Sequence, residues 1–238
     1  NGYYIGGEFT QIGSESRARL AHVLANGSVD PSFTPDPNAA VSVLALSGTT
    51  LFVGGAFTNI GGQARTRLAA INTMTGAVLD WNPAPDLVPT ALAVASDTLY
   101  VGGRFDTIAG QARSRLASFP LVNNVPGTIK SFAPNPDGVE ILSLYPANGK
   151  LYVSGYFESI DGTSRARAAA FDAASGMLIT GFSPNPDKRV NAFALLGDRL
   201  YVAGYFLTIG GQNRKYLAAL NPDTGAALPD WTPTPDGE

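Results

Sequence analysis

Apolar residues in this chain come in short bursts, some alternating and some continuous, punctuated by glycine, proline and polar turns. One burst recurs. Leu51-Phe52-Val53-Gly54-Gly55-Ala56-Phe57 returns in near-identical form at residues 99–105, 151–157 and 200–206, and Tyr3-Tyr4-Ile5-Gly6-Gly7-Glu8-Phe9 opens the chain with a fifth version. The start-to-start spacings are 48, 48, 52 and 49 residues. Such self-similarity marks a repeat array. The second glycine (Gly7, Gly55, Gly103, Gly155, Gly204) and the phenylalanine two residues on are invariant, and an isoleucine follows at Ile12, Ile60, Ile108, Ile160 and Ile209. Each copy continues through a Gly-rich turn, an arginine, a Leu/Ala segment, a turn and an aromatic, and closes on two prolines at alternate positions, as in Pro83-Ala84-Pro85-Asp86.

Four short strands are expected per unit. The first is the alternating Val41-Ser42-Val43-Leu44-Ala45-Leu46, matched by residues 139–144 and 190–195. The second is the Leu-Tyr-Val-Gly-Gly burst, whose unbroken apolar character predicts burial on both faces. Its invariant glycine predicts a bulge or a close backbone approach. The third is the Leu-Ala-Ala segment, and the fourth runs up to the aromatic, as in Ala77-Val78-Leu79-Asp80-Trp81. The Pro-x-Pro stretch cannot donate to a ladder at its prolines and is expected to connect units. Sheets of about fifty residues and four strands, covered on both faces, make an all-β fold, a β-propeller. The competing α-helical repeat has room for a helix only near Ser16 to Asn26.

Residues 1–238 are therefore read as a single β-propeller domain with five blades visible, repeats starting near 3, 51, 99, 151 and 200. The first strand occurs four times and the others five, so one inner strand is missing. An open inner edge is costly. The favoured expectation is that the chain is a fragment of a longer polypeptide, consistent with a start at Asn1-Gly2-Tyr3 that has neither Met nor signal peptide. The alternative is that another chain supplies the strand, which would make this an assembly subunit.

Composition narrows the function classes. With 27 glycines, 17 prolines and only 15% charged residues, long helices and charge-driven disorder are excluded. The net charge of −3 offers no field for nucleic acid or anionic lipid, and no apolar run is long enough for a membrane-spanning helix. No cysteine is present, which excludes disulfides, thiolate nucleophiles and cysteine-bound metals, and His22 is the single histidine.

Taken together, the strings Leu-Tyr-Val-Gly-Gly-x-Phe and Arg-x-Arg-Leu-Ala-Ala, preceded by Val-x-Ala-Leu-Ala, resemble the delta-60 repeat β-propeller family over the whole chain, with kelch-like repeats a more distant likeness. The resemblance implies one blade per repeat, in secreted or surface-attached, often bacterial, proteins, and it supplies no catalytic residues. The Pro-x-Pro-Asp linker departs from that family's glycine-and-acid ending.

Nine of the twelve arginines lie at these positions, as the four Arg-x-Arg pairs Arg17/Arg19, Arg65/Arg67, Arg113/Arg115 and Arg165/Arg167 and as Arg214, whose second place is taken by Tyr216. Spacing of two predicts that both members share one strand face. The first arginine of each pair (Arg17, Arg65, Arg113, Arg165, Arg214) and the linker acids Asp86, Asp137, Asp187 and Asp236, with Asn38 in the remaining place, are expected to form a structural latch. The other reading is a guanidinium ring for acidic glycans. The repeated aromatics Phe33, Trp81, Phe132, Phe182 and Trp231 are expected in the core between blades. Tyr156, Tyr205 and Tyr216 depart from the repeat and are the ligand-binding candidates. His22 stands where other copies have Ala or Ser, and is read as a tolerated substitution. Glu8, Asp106 and Glu158 lie near one another in repeat register and could form a carboxylate ring, but no nucleophile elbow, phosphate loop or zinc motif occurs; no catalytic residue, metal or cofactor is assigned.

The expectation is a non-enzymatic extracellular or cell-surface scaffold or adhesion module that contacts a protein or a surface glycan, without nucleic acid or membrane insertion, and able to self-assemble through its open blade. A lectin-like carbohydrate binder is the alternative, and a glycoside hydrolase or lyase the second.

Overall fold

The computed structural model describes residues 2–236, all strand, turn and loop with no helix among them. The segment from Ser16 to Asn26, where a helix had room, contains the strand Leu20–Leu24. Two compact units divide the chain. One runs to Arg113 and resumes at Ala117–Ser131; the other comprises Ser114–Leu116 and the chain from Phe132.

Each full blade is an antiparallel meander. In the first unit Val41–Ser47 pairs with Thr50–Gly55, which pairs with Leu68–Asn72. Blade three repeats this with Pro89–Ala95, Thr98–Gly103 and Leu116–Val122, and adds Val125–Pro126 as a fourth strand. The second unit holds Glu140–Ala147, Lys150–Tyr156 and Ala168–Asp172, then Val190–Leu196, Arg199–Gly204 and Leu217–Leu220. Blade one has only Gly2–Gly6 against Leu20–Leu24; among the described residues no first strand covers its other edge, and Tyr3 is 74% exposed there.

The expected fourth strand is reduced to a single bridge in four blades: Val23 with Val29, Ile71 with Val78, Phe171 with Leu178 and Leu220 with Ala227. Between the second and third strands the chain forms a miniature ribbon, such as Asn59–Ile60 with Gln63–Ala64, where a plain Gly-rich turn was expected.

Strand parity explains why the second strand is continuously apolar. Leu51 and Val53 pack with Leu20 and Phe33 on one side, whereas Phe52 packs with Leu99 and Val101 on the other. The third strand divides the same way, Ala69 and Ile71 against Leu68 and Ala70. Successive side chains point to opposite faces, and both faces are covered by a neighbouring blade. In the second unit Tyr152, Ala168 and Ala170 meet Val190, Leu200 and Val202 in the same manner. Third-strand alanines keep the sheets close enough for the larger second-strand residues to interdigitate.

The invariant glycine marks a bulge. Val41 faces Gly55 and Val43 faces Gly54, so Ser42 is an extra residue on the first strand; the same shift lies opposite Gly103, Gly155 and Gly204. A Cβ on Gly55 would lie 2.1 Å from the Ala40 carbonyl oxygen, and one on Gly155 2.3 Å from that of Glu140. Among the described residues blade one has no bulged partner strand, and a Cβ on Gly7 would meet only the Phe9 ring, at 3.1 Å.

Gly55→Ala should therefore cost about 2–3 kcal/mol, because backbone must move, while Gly7→Ala should cost under about 1 kcal/mol. Urea-unfolding midpoints of the two variants measure this, and equal losses would mean the glycine serves something other than the bulge.

Candidate functional site

The arginine pair does two separate jobs. The first arginine turns back within its own blade. Arg65 donates through Nη2 to the carbonyl oxygen of Leu79 at 3.1 Å and through Nη1 to that of Ala64 at 3.0 Å. Arg17 reaches the carbonyl of Asp30, Arg113 that of Lys130, Arg165 that of Thr180 and Arg214 that of Leu228. In four blades these carbonyls belong to the segment that leaves the sheet after one bridge, and in the other Lys130 follows the two-residue strand Val125–Pro126. The guanidinium supplies the donors that a fourth strand's ladder would have supplied.

The second arginine adopts left-handed backbone: φ is 64° at Arg19, 63° at Arg67, 61° at Arg115 and 58° at Arg167. The pair therefore straddles a turn and does not share a strand face. From that turn Arg19 donates to the Pro37 carbonyl, Arg67 to Pro85 and Arg167 to Pro186, each at 3.1 Å.

The linker acids act in the other direction, on the blade that follows. Asp86 Oδ1 accepts the amides of Asp106 and Thr107, Asp137 Oδ1 those of Glu158 and Ser159, and Asp187 Oδ1 those of Leu207 and Thr208. Asn38 does the same for Thr58 and Asn59. The expected direct pairing of first arginine with linker acid is thus replaced by two separate attachments, because the guanidiniums of Arg17, Arg65, Arg113, Arg165 and Arg214 are taken up by backbone carbonyls. The amides of Ser159 and Glu158 lower the pKa of Asp137. At Asp86 and Asp187 burial pushes upward, and the two amides at each outweigh it, so both end below the ordinary carboxylate value. Asp236, at the matching place in the last linker, is exposed.

Phe33, Trp81, Phe132 and Phe182 pack between blades as expected, whereas Trp231 is half-buried against its own blade. Trp81 meets Phe119 edge-on at 5.1 Å, Phe132 meets Phe171 at 5.5 Å and Phe182 meets Tyr152 at 5.3 Å. Trp231 meets Tyr201 at 5.1 Å. Trp81 also borders a depression of about 340 Å³ with Pro83, Pro126 and Ile129. His22 has local partners of its own: Nδ1 lies 2.9 Å from Asp30 Oδ2 and the ring stacks on Tyr4 at 4.5 Å. The Ser32 hydroxyl, then His22, hold Asp30 down to about 2.

Of the three tyrosine candidates the structure brings two together. Tyr156 ends its blade's second strand, and Tyr205 directly follows the second strand of the next blade. Between them stands Arg189, donating through Nη1 to the Tyr156 hydroxyl at 2.9 Å, its guanidinium 4.1 Å above the Tyr205 ring. The Tyr205 amide donates to the Arg189 carbonyl, which fixes the stacked pair. Tyr216 takes the place of the second arginine, φ 65° included, and among the described residues it has no ring contact or side-chain hydrogen bond to the other two.

A cavity of about 270 Å³ adjoins Tyr156, lined by Asp137, Gly138, Tyr156, Phe157, Glu158 and Arg167. An inserted residue shapes it. Three residues separate Asp137 from Ile141, which faces Gly155, whereas two separate Asp86 from Pro89 and Asp187 from Val190 at the same point of the register. Gly138 lies in that longer connection, and its absent side chain is required: a Cβ would fall 1.4 Å from the Tyr156 carbonyl oxygen. Glu158 accepts from Arg167 at 2.6 Å, so this carboxylate of the candidate acid set is occupied. Among the described residues no group of three or more acids or histidines is placed to hold a metal.

Sequence reading missed Arg189 and Gly138. Both were detectable, as the one basic residue directly before a first strand and as the residue that makes one spacing longer.

A family profile described as "Domain of unknown function (DUF5122) beta-propeller" matches residues 3–33 and 198–223. Among solved structures, a chain of the "Crystal Structure of Mitotic Checkpoint Complex" is similar at a TM-score of 0.56 and 17% identity, over 87% of this chain and 57% of that one. The fold is a β-propeller. This chain thus spans little more than half the length of that structure's chain, and the likeness is one of fold alone. Two computationally designed proteins are also similar: Ika4, at 14% identity over 70% of this chain and 86% of that one with a TM-score of 0.47, and Ika8, at 13% over 90% and 69% with a TM-score of 0.49. No curated protein sequence matches the chain.

Arg65→Lys should destabilise the protein by about 1–2 kcal/mol, since one ammonium cannot serve the Leu79 and Ala64 carbonyls together. A urea midpoint equal to that of the wild type would mean that the guanidinium does not substitute for the missing ladder.

Proposed function

We propose that this propeller is a non-enzymatic interaction module working outside the cell or at its surface, and that it meets a protein partner through the Tyr156–Arg189–Tyr205 cluster. The observation that carries the reading is this cluster, which two blades hold at one strand end beside a cavity that a one-residue insertion opens. Tyrosine and arginine are the side chains that most often anchor protein interfaces. Here the arginine is already ordered by two tyrosines, so little side-chain freedom remains to be lost on binding. The short, uniform turns of the repeats offer a rigid frame without an elaborated cleft, which favours binding over catalysis. Low charge content, loops rich in Ser, Thr and Asn, and the likeness to delta-60 repeats support an extracellular setting.

A lectin-like role is the second reading, favoured by a cavity that carries Asp137, Glu158 and Arg167 beside an exposed tyrosine. Against it, the guanidinium of Arg189 covers the Tyr205 face on which a sugar would stack. Arrays of peptides and of glycans, probed with the wild type and with a Tyr156→Ser/Tyr205→Ser variant, separate the two. The account expects retention on peptides that falls at least tenfold in the variant, about 1.4 kcal/mol. Retention on glycans alone would favour the lectin, and no tyrosine-dependent retention would overturn both.

A further inference from the structure

We infer that Arg189 is the docking point for a carboxylate side chain of an extended peptide, whose residue two positions away enters the cavity beside Tyr156. The inference rests on the interaction role proposed above and names the chemistry of its partner.

Three acids around the site are already engaged, Glu158 with Arg167 and Asp137 and Asp187 with pairs of backbone amides, and Glu140, opposite Tyr156 on the neighbouring strand, is buried. Arg189 differs. Among the described residues no carboxylate lies within ion-pair distance of it; its partners are a phenol hydroxyl and an aromatic face, both neutral. The neighbouring Lys188 is exposed and adds positive charge. A half-buried cation ordered in one pose and lacking a counter-charge is preorganised for an anion. A guanidinium's planar fork matches a carboxylate in a way an ammonium cannot.

Geometry supplies the second contact. Tyr156 bridges the two points, its hydroxyl on Arg189 and the residue itself lining the cavity, while remaining 39% exposed. The two points thus lie within about one tyrosine side chain of each other. Alternate residues of an extended peptide lie roughly 6.6 Å apart on one face, so an acid and the residue two positions on can reach both points. At about 270 Å³ the cavity falls below the roughly 300–1,000 Å³ of sites for drug-sized ligands. It is sized for one side chain.

The test uses the whole chain, ¹³C-labelled at tyrosine, and the capped peptide acetyl-Glu-Ser-Phe-Ser-amide, with the ring resonances of Tyr156 and Tyr205 as readout. Saturable shifts are expected, at least tenfold weaker for the Gln-Ser-Phe-Ser counterpart and for Arg189→Gln, with Arg189→Lys in between. Raising salt should weaken binding several-fold. Thermal unfolding of both variants at the wild-type temperature shows that the fold is kept. Equal binding by the Gln peptide or by Arg189→Gln, or no shift up to about 10 mM peptide, overturns the inference. Tighter binding of glucuronate than of the peptide also overturns it, by assigning the carboxylate to a glycan. Peptides retained on arrays through Tyr156 and Tyr205 but indifferent to Arg189→Gln would sink this inference alone; the absence of any tyrosine-dependent peptide would sink the interaction role itself.

Discussion

Every blade here depends on how its proline linker is held. The linker cannot join a ladder at its prolines, and in the first four linkers the prolines are buried while the residues between them are exposed. It is fixed from both directions. The second arginine of the preceding blade takes the carbonyl of the second proline, as Arg19 does at Pro37, Arg67 at Pro85 and Arg167 at Pro186. The acid or amide that ends the linker accepts two amides of the ribbon ahead, as Asn38, Asp86, Asp137 and Asp187 do. Left-handed backbone at this position is the cost of the arrangement, and at Arg19, Arg67 and Arg167 the carbonyl contact it permits offsets that cost.

The same clamps place the interaction site. Asp137 and Asp187 hold amides immediately past Tyr156-Phe157 and Tyr205-Phe206, and the buried phenylalanines adjoin the exposed Tyr156 and the half-buried Tyr205. Variation is confined to positions that the clamps leave free. One residue inserted after Asp137 opens a cavity, and one arginine before a first strand gives two tyrosines a shared partner. Small departures on a rigid repeat thus suffice to make one place chemically distinct.

The repeat, the second and third strands, the bulge glycine and the inter-blade aromatics were legible because each imposes a pattern that five copies restate. Parity along Leu51-Phe52-Val53 is visible in sequence as an unbroken apolar run. The direction of the arginines was not legible. Spacing of two reads as one strand face, and nothing in Arg-x-Arg announces that the second residue turns left-handed. The fourth strand was overread for a related reason, because Val78 and Leu79 look like strand while Arg65 takes over a carbonyl of that segment. Tyr156 and Tyr205 stood out as departures from the repeat; their meeting through Arg189 required the register between blades.

If the linker acid is what secures each ribbon, the amides of Glu158 and Ser159 must be protected although they lie in an exposed segment. Native-state hydrogen exchange on the wild type and on Asp137→Ala measures this most directly. The account predicts slow exchange of both amides in the wild type and at least about tenfold faster exchange in the variant, with the strand amides of Val153 and Ala169 unchanged. Free-peptide exchange rates at Glu158 and Ser159 in the wild type, or no change in Asp137→Ala, would contradict it.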